Sequence, residues 1–88
     1  MPPRRQSQPR SPEHAALGDA IKARRKELGL SQEALAEAAG IHVTHLGGLE
    51  RGVRNPSYAT LVRLAQALRT EPGILLTSAD HARARATD

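Results

Sequence analysis

The sequence predicts an all-α domain, and three observations carry that prediction. Ala and Leu dominate the apolar residues, while Phe and Trp are absent and Val and Ile are few. Ala and Leu favour helices, whereas β-branched and aromatic residues favour strands. Apolar positions recur at three- and four-residue spacing, the period of a helix face. Each periodic stretch is punctuated by a glycine or a proline loop, at Gly29, Gly40, Gly52 and Asn55-Pro56.

Leu17, Ile21 and Leu28 place a first amphipathic helix over residues 13–28, and Gly29 suits the left-handed position beyond its end. Ser31 is a good N-cap for a second helix over 32–39, with Leu30 and Leu35 at hydrophobic-staple spacing. Gly40 stops that helix early. A third helix from His42 to Arg51 turns Leu46 and Leu49 inward and ends at Gly52. Val53-Arg54-Asn55-Pro56 is a loop, because proline pushes its predecessor out of helical geometry. Ser57 caps a fourth helix over 58–69, whose Leu61, Leu64, Ala65 and Leu68 form one stripe. Thr70 is the expected cap of a short fifth helix from Glu71 to Leu76, with Pro72 in its first turn. Three parts follow: a basic, Pro-rich, disordered arm over residues 1–12, a folded domain over 13–76, and a frayed tail over 77–88.

Eighty-eight residues make one small domain with little room for a substrate cavity. The absence of Cys excludes disulfide scaffolds and thiolate metal sites. No apolar run approaches the ~18 residues of a membrane span, and no apolar stretch follows Arg4 and Arg5 to make a secretory signal. The net charge of +4 is concentrated on the arm, at Arg4, Arg5 and Arg10, and leaves the folded part nearly neutral. That arm is either a solvated tail or a strand that clings to phosphates. Lys22, Arg24 and Lys26 read as a solvated helix face. His42 and His45 are three apart, but no third ligand supports a metal. Ser, His and Asp occur without catalytic spacing, so the expectation is a non-enzymatic protein with no cofactor and no metal.

Helices two and three, joined by a tight turn at Gly40, have the pattern of a helix-turn-helix. Ala36 is small where the helices cross, and Leu35, Ala39, Ile41, Leu46 and Leu49 are the apolar positions that hold the second helix clear of the body. Such a protruding helix can enter the major groove of duplex DNA. Four segments carry a wider likeness: Leu28-Gly29-Leu30-Ser31-Gln32-Glu33-Ala34-Leu35-Ala36, Gly40-Ile41, Leu49-Glu50-Arg51-Gly52 and Asn55-Pro56-Ser57. In this order and spacing, over residues 14–76, the chain resembles the phage-repressor/Cro-type (XRE) helix-turn-helix family. Ile41-His42-Val43-Thr44 partly resembles the recognition-helix start of the small restriction–modification controllers within it.

The resemblance implies a compact five-helix, lambda-repressor-like domain that binds a palindromic operator as a homodimer. It implies phosphate contacts from Gln32 at the start of helix two and from a second clamp of Arg54, Asn55 and Ser57. It places Val43, Thr44, Gly47 and Gly48 on the base-reading face. His42 joins that face as a cap or contact residue, and His45 is a phosphate contact or a plain surface residue. The reading face carries no Gln, Asn, Arg or Lys, the usual partners of base edges. Gly47 and Gly48 either permit close approach to DNA, with specificity drawn partly from DNA shape, or are tolerated substitutions. Arg25 lies on the apolar face of helix one and needs a partner; Glu50, near the buried side of helix three, is the expected one. Ile74, Leu75 and Leu76 cannot all face one small core at about 100° per residue, so this run is the expected dimer interface.

The expected function is a cytoplasmic, nucleoid-associated, stand-alone regulator whose partners are double-stranded DNA and a second copy of the chain. The alternatives are an antitoxin or protein-interaction module on the same fold, and a loosely specific nucleic-acid-binding protein.

Overall fold

A computed structural model describes residues 8–86 of the chain, excluding the side chain of Ala86. The described residues form five helices: α1 (Pro12–Glu27), α2 (Gln32–Ala39), α3 (Val43–Glu50), α4 (Tyr58–Ala67) and α5 (Pro72–Ala86). Among the described residues there is no strand. Ile21, Leu35, Leu46, Leu49, Leu64 and Leu68 are fully buried and make the centre of one apolar cluster. α1 lies along α5 and against α3, while α2 packs on α3 and α4.

Local chemistry sets each boundary. Ser11, in extended conformation, accepts a hydrogen bond from the His14 N–H, and Pro12 fills the first position of α1. Ser31 and Ser57 cap α2 and α4 in the same way, accepting from the backbone of Ala34 and Thr60. Gly40, at φ 69°, closes α2 with Ile41 N–H donating to the Ala36 carbonyl at 3.0 Å. That left-handed turn is cheap for a residue without Cβ, and it aims the chain directly into α3.

Four sequence expectations about the helices need correction. The fourth helix stops at Ala67 rather than at residue 69. Arg69 takes φ 55°, and Arg24 donates from Nε to the Leu68 carbonyl at 3.0 Å and from Nη2 to the Arg69 carbonyl at 3.3 Å. Arg24 therefore closes the end of α4 and is not part of a solvated face. The fifth helix begins one residue later than Glu71, with Pro72 first, and its opening turn closes on the Glu71 carbonyl rather than on Thr70. It then continues to Ala86, so residues 77–86 are not frayed. The physical reason is packing plus propensity: Ala79 is buried, and Arg83 reaches Glu13 of α1 at 3.7 Å and Asp80 at 3.6 Å. The Ala and Arg residues of this stretch are strong helix formers.

At the other end, residues 1–7 of the expected arm lie outside the described residues. The remainder is held: the Arg10 N–H donates to the Gly52 carbonyl at 2.8 Å, and Ser11 and Pro12 belong to the start of α1.

Candidate nucleic-acid interface

α3 is fixed from within before it presents anything outward. Gly18 of α1 touches its end: a Cβ at Gly18 would land on the carbonyl oxygens of Leu49 and Glu50 and 2.8 Å from the Glu50 carbonyl carbon. Beside this crossing, Arg25 donates to Glu50 twice, Nε to Oε2 at 2.7 Å and Nη2 to Oε1 at 3.0 Å. Its Nη1 donates to the Leu30 carbonyl at 2.9 Å, and Gln32 Nε2 donates to Glu50 Oε1 at 3.0 Å. The side chains of Arg25 and Glu50 are 10% and 2% exposed. Among the described residues no buried side-chain polar atom lacks a partner. The hydrogen bonds to Glu50 hold the Arg25 guanidinium above its ordinary range, against the opposing effect of burial. One carboxylate thus ties the body of α1, the first residue of α2 and the last of α3 together. Loss of either Arg25 or Glu50 would leave the other as a buried charge without compensation.

With Leu46 and Leu49 inward, a turn of about 100° per residue puts Thr44, Gly48 and Arg51 on the opposite side of α3. Thr44 is exposed, and so are Arg51 at the end of the helix and Arg54 in the following loop. His42 is the N-cap, its Nδ1 accepting from the Thr44 N–H at 3.2 Å. It is exposed, and His45 is half-buried. Val43, expected on the reading face, is half-buried and packs against the core cluster. It sits three residues before Leu46, so the same helical period that buries Leu46 turns it inward.

The two glycines also differ from the expectation of a bare surface. Both are buried. A Cβ on Gly48 would land on Cγ of Arg54 and 3.4 Å from its Cβ, and one on Gly47 would lie 3.1 Å from Nη1 of Arg51. The Gly48 carbonyl accepts from the N–H groups of Val53 and Arg54 at 3.0 and 3.2 Å. The missing side chains make room for two arginines folded across the outer face of the helix. Arg51 was not singled out from sequence, although its spacing of seven from Thr44 marks the same face.

The loop after α3 is clamped to α1. Gly52, at φ 77°, leaves no space for a side chain, since a Cβ would lie 2.9 Å from Ala15 N and Cα. Asn55 is exposed, its Oδ1 3.1 Å from His14 Nε2. The Ser57 hydroxyl is fully engaged at the start of α4, accepting from the Thr60 N–H and donating to Thr60 Oγ1. Gln32 and Asn55 bracket α3 in sequence, and each already uses one polar atom internally. In the expected dimer segment, Ile74 and Leu76 are 53% and 45% exposed, but Leu75 is 2% exposed. Leu75 belongs to the chain's own core, as its contact with the central cluster requires. Among the described residues no cluster of metal-binding side chains occurs, and no helix is long and apolar enough to cross a membrane.

Comparison with known proteins matches this geometry. A helix-turn-helix family model fits residues 21–75. The control protein C.SmaI of Serratia marcescens is 44% identical over 61 residues, covering 69% of this chain and 73% of its own length. The solved restriction–modification controller C.AhdI of Aeromonas hydrophila superposes with a TM-score of 0.73 at 38% identity, over 74% of this chain and 98% of that one. The clp gene regulator ClgR of Corynebacterium glutamicum gives a TM-score of 0.82 at 29% identity, over 85% and 80% of the two chains. The chain belongs to the XRE-type helix-turn-helix family of non-enzymatic, DNA-binding transcriptional regulators.

Proposed function

We propose that the protein is a sequence-specific regulator that binds a palindromic duplex operator as a homodimer. The observation that carries this reading is α3 itself: a short helix anchored on its inner side by the Arg25–Glu50–Gln32 network, with Thr44, Arg51 and Arg54 exposed on its outer side. Thr44 supplies a methyl and a hydroxyl for base edges, and the arginines supply forked donors for guanine or phosphate. Gln32, at the positive end of α2, and Arg54 with Asn55 flank the helix as phosphate contacts. In this reading His42 and Val43 border the base-reading face, His45 and Ser57 border the phosphate contacts, and Gly47 and Gly48 seat the arginines. Arg4 and Arg5, outside the described residues, add charge to the same polyanion. Ile74 and Leu76 are exposed apolar residues on opposite flanks of α5, about 200° apart, and a two-fold contact uses one of these flanks. Two such domains would set their α3 helices roughly 34 Å apart, one turn of DNA. The site of action in this reading is the cytoplasmic nucleoid, and the likeness to the control protein C.SmaI and the restriction–modification controller C.AhdI supports a regulatory role.

In vitro selection from a random duplex pool tests the proposal. The selected sequences form an inverted repeat, and at fixed salt they bind at least ~10³-fold more tightly than random duplex. Equal affinity for both would assign a packaging role, and no binding to either would assign a protein-interaction module.

A further inference from the structure

We propose that His14 is a positioning residue that orients the Asn55 carboxamide so that its amine faces DNA. The inference rests on the reading of Asn55 as a phosphate contact. Three groups form a chain from α1 to the loop after α3. Ser11 Oγ accepts the His14 backbone N–H at 3.1 Å and lies 2.6 Å from His14 Nδ1. On the other side of the ring, His14 Nε2 lies 3.1 Å from Asn55 Oδ1, across 41 residues of sequence. A carboxamide oxygen can only accept, so Nε2 carries the proton. In the neutral imidazole Nδ1 is then the acceptor, and the Ser11 hydroxyl donates to it. Glu13 is the rival acceptor for that hydroxyl; the short Ser11–His14 separation gives the proton to the ring.

Both side-chain donors in this chain, the Ser11 hydroxyl and the His14 Nε2–H, point toward the loop. With Oδ1 occupied by the imidazole, Nδ2 is the remaining polar atom of the exposed Asn55 side chain, and among the described residues nothing hydrogen-bonds it. Both of its protons are free for a phosphate oxygen. Without the imidazole the amide could rotate and present its oxygen, which repels a phosphate. The backbone beside it is already fixed, by Arg10 N–H on the Gly52 carbonyl at 2.8 Å and by Gly52 against Ala15. The orientation of the amide is the remaining freedom, and His14 removes it.

The test is a thermodynamic cycle on the full chain, with a 30-bp random-sequence duplex as probe at about 0.1 M salt. N55A and H14A each weaken binding about threefold to tenfold, the value of one hydrogen bond. H14A made in the N55A background has no further effect, because His14 acts only through Asn55. H14Q, whose amide can donate to the same oxygen, restores most of the affinity. In the free protein, nitrogen NMR shows His14 protonated at Nε2, and H14A shifts the Asn55 side-chain amide signals while the melting temperature shows the chain still folded. Full affinity in H14A alongside a loss in N55A overturns the positioning role and leaves the phosphate contact standing. Full affinity in N55A overturns the phosphate contact and this inference with it. Additive losses in the double variant overturn the claim that His14 works through Asn55.

Discussion

Replacing Gly18 with alanine is a substitution that helix propensity alone favours by about 1 kcal/mol. The structure reverses the sign. The new Cβ has no free space: it meets the carbonyl oxygens of Leu49 and Glu50, and the Glu50 carbonyl carbon at 2.8 Å. These are backbone atoms of α3, which cannot rotate aside as a flexible side chain can. Relief requires moving α3 relative to α1, and that shift would stretch the Arg25–Glu50 bonds of 2.7 and 3.0 Å. Overpacking costs about 1–3 kcal/mol, and overlap with rigid backbone atoms puts this site in the upper part of that range, about 2–3 kcal/mol, leaving a net loss of about 1–2 kcal/mol after the propensity gain. Gly73 is the internal control, being also helical but with nothing within 4 Å of its notional Cβ. We predict that G18A lowers the melting temperature by about 4–16 °C and G73A raises it by about 4–8 °C, using ~4–8 °C per kcal/mol for a domain of this size. Thermal unfolding followed by circular dichroism measures both. A G18A protein as stable as the parent would refute the backbone contact between α1 and α3.

Three further outcomes follow from the same geometry. Removing either Arg25 or Glu50 alone costs about 3–5 kcal/mol, whereas an R25M/E50L pair recovers most of the loss; urea unfolding that finds the two changes additive would contradict the coupling. Glu13, in the first turn of α1, is held below the ordinary carboxylate range by the hydrogen bond from its own backbone N–H, then by the neighbouring Ser11 hydroxyl and, less strongly, by Arg83. Its stabilising contribution is present above the unfolded-state value and is lost as pH falls through the lowered folded value, so an E13Q protein shows a flatter acid limb in a pH series of melting temperatures. L75A costs about 2–5 kcal/mol as a buried-leucine deletion, while L76S changes monomer stability by less than about 0.5 kcal/mol and weakens self-association measured by sedimentation.

Helix order, the glycine stops and the turn at Gly40 were legible in the sequence because they follow from local rules: period, capping and the left-handed position. Arg25 and Glu50 could be paired because a charge on an apolar face demands a partner. What local rules missed was long-range. Nothing near residue 77 announces that Ala79 finds a buried site, or that Glu13 lies within reach of Arg83. The same holds for Gly47 and Gly48. Their glycines announced a close approach, but the approaching groups are Arg51 and Arg54 of the same chain. Gly18 could have been found, since it precedes Arg25 by seven residues and so shares its buried face. His14 could not, because its partner is set only by the packing of the loop.

Amide and side-chain NMR shifts on adding the selected operator duplex test the central claim most directly. The account predicts that the largest changes fall on Thr44, Arg51 and Arg54, with Gln32 and Asn55 beside them, and that α5 changes only where two copies meet. Changes concentrated on α4 or on the outer surface of α1, with Thr44 and Arg51 unmoved, would contradict α3 as the element that enters the groove.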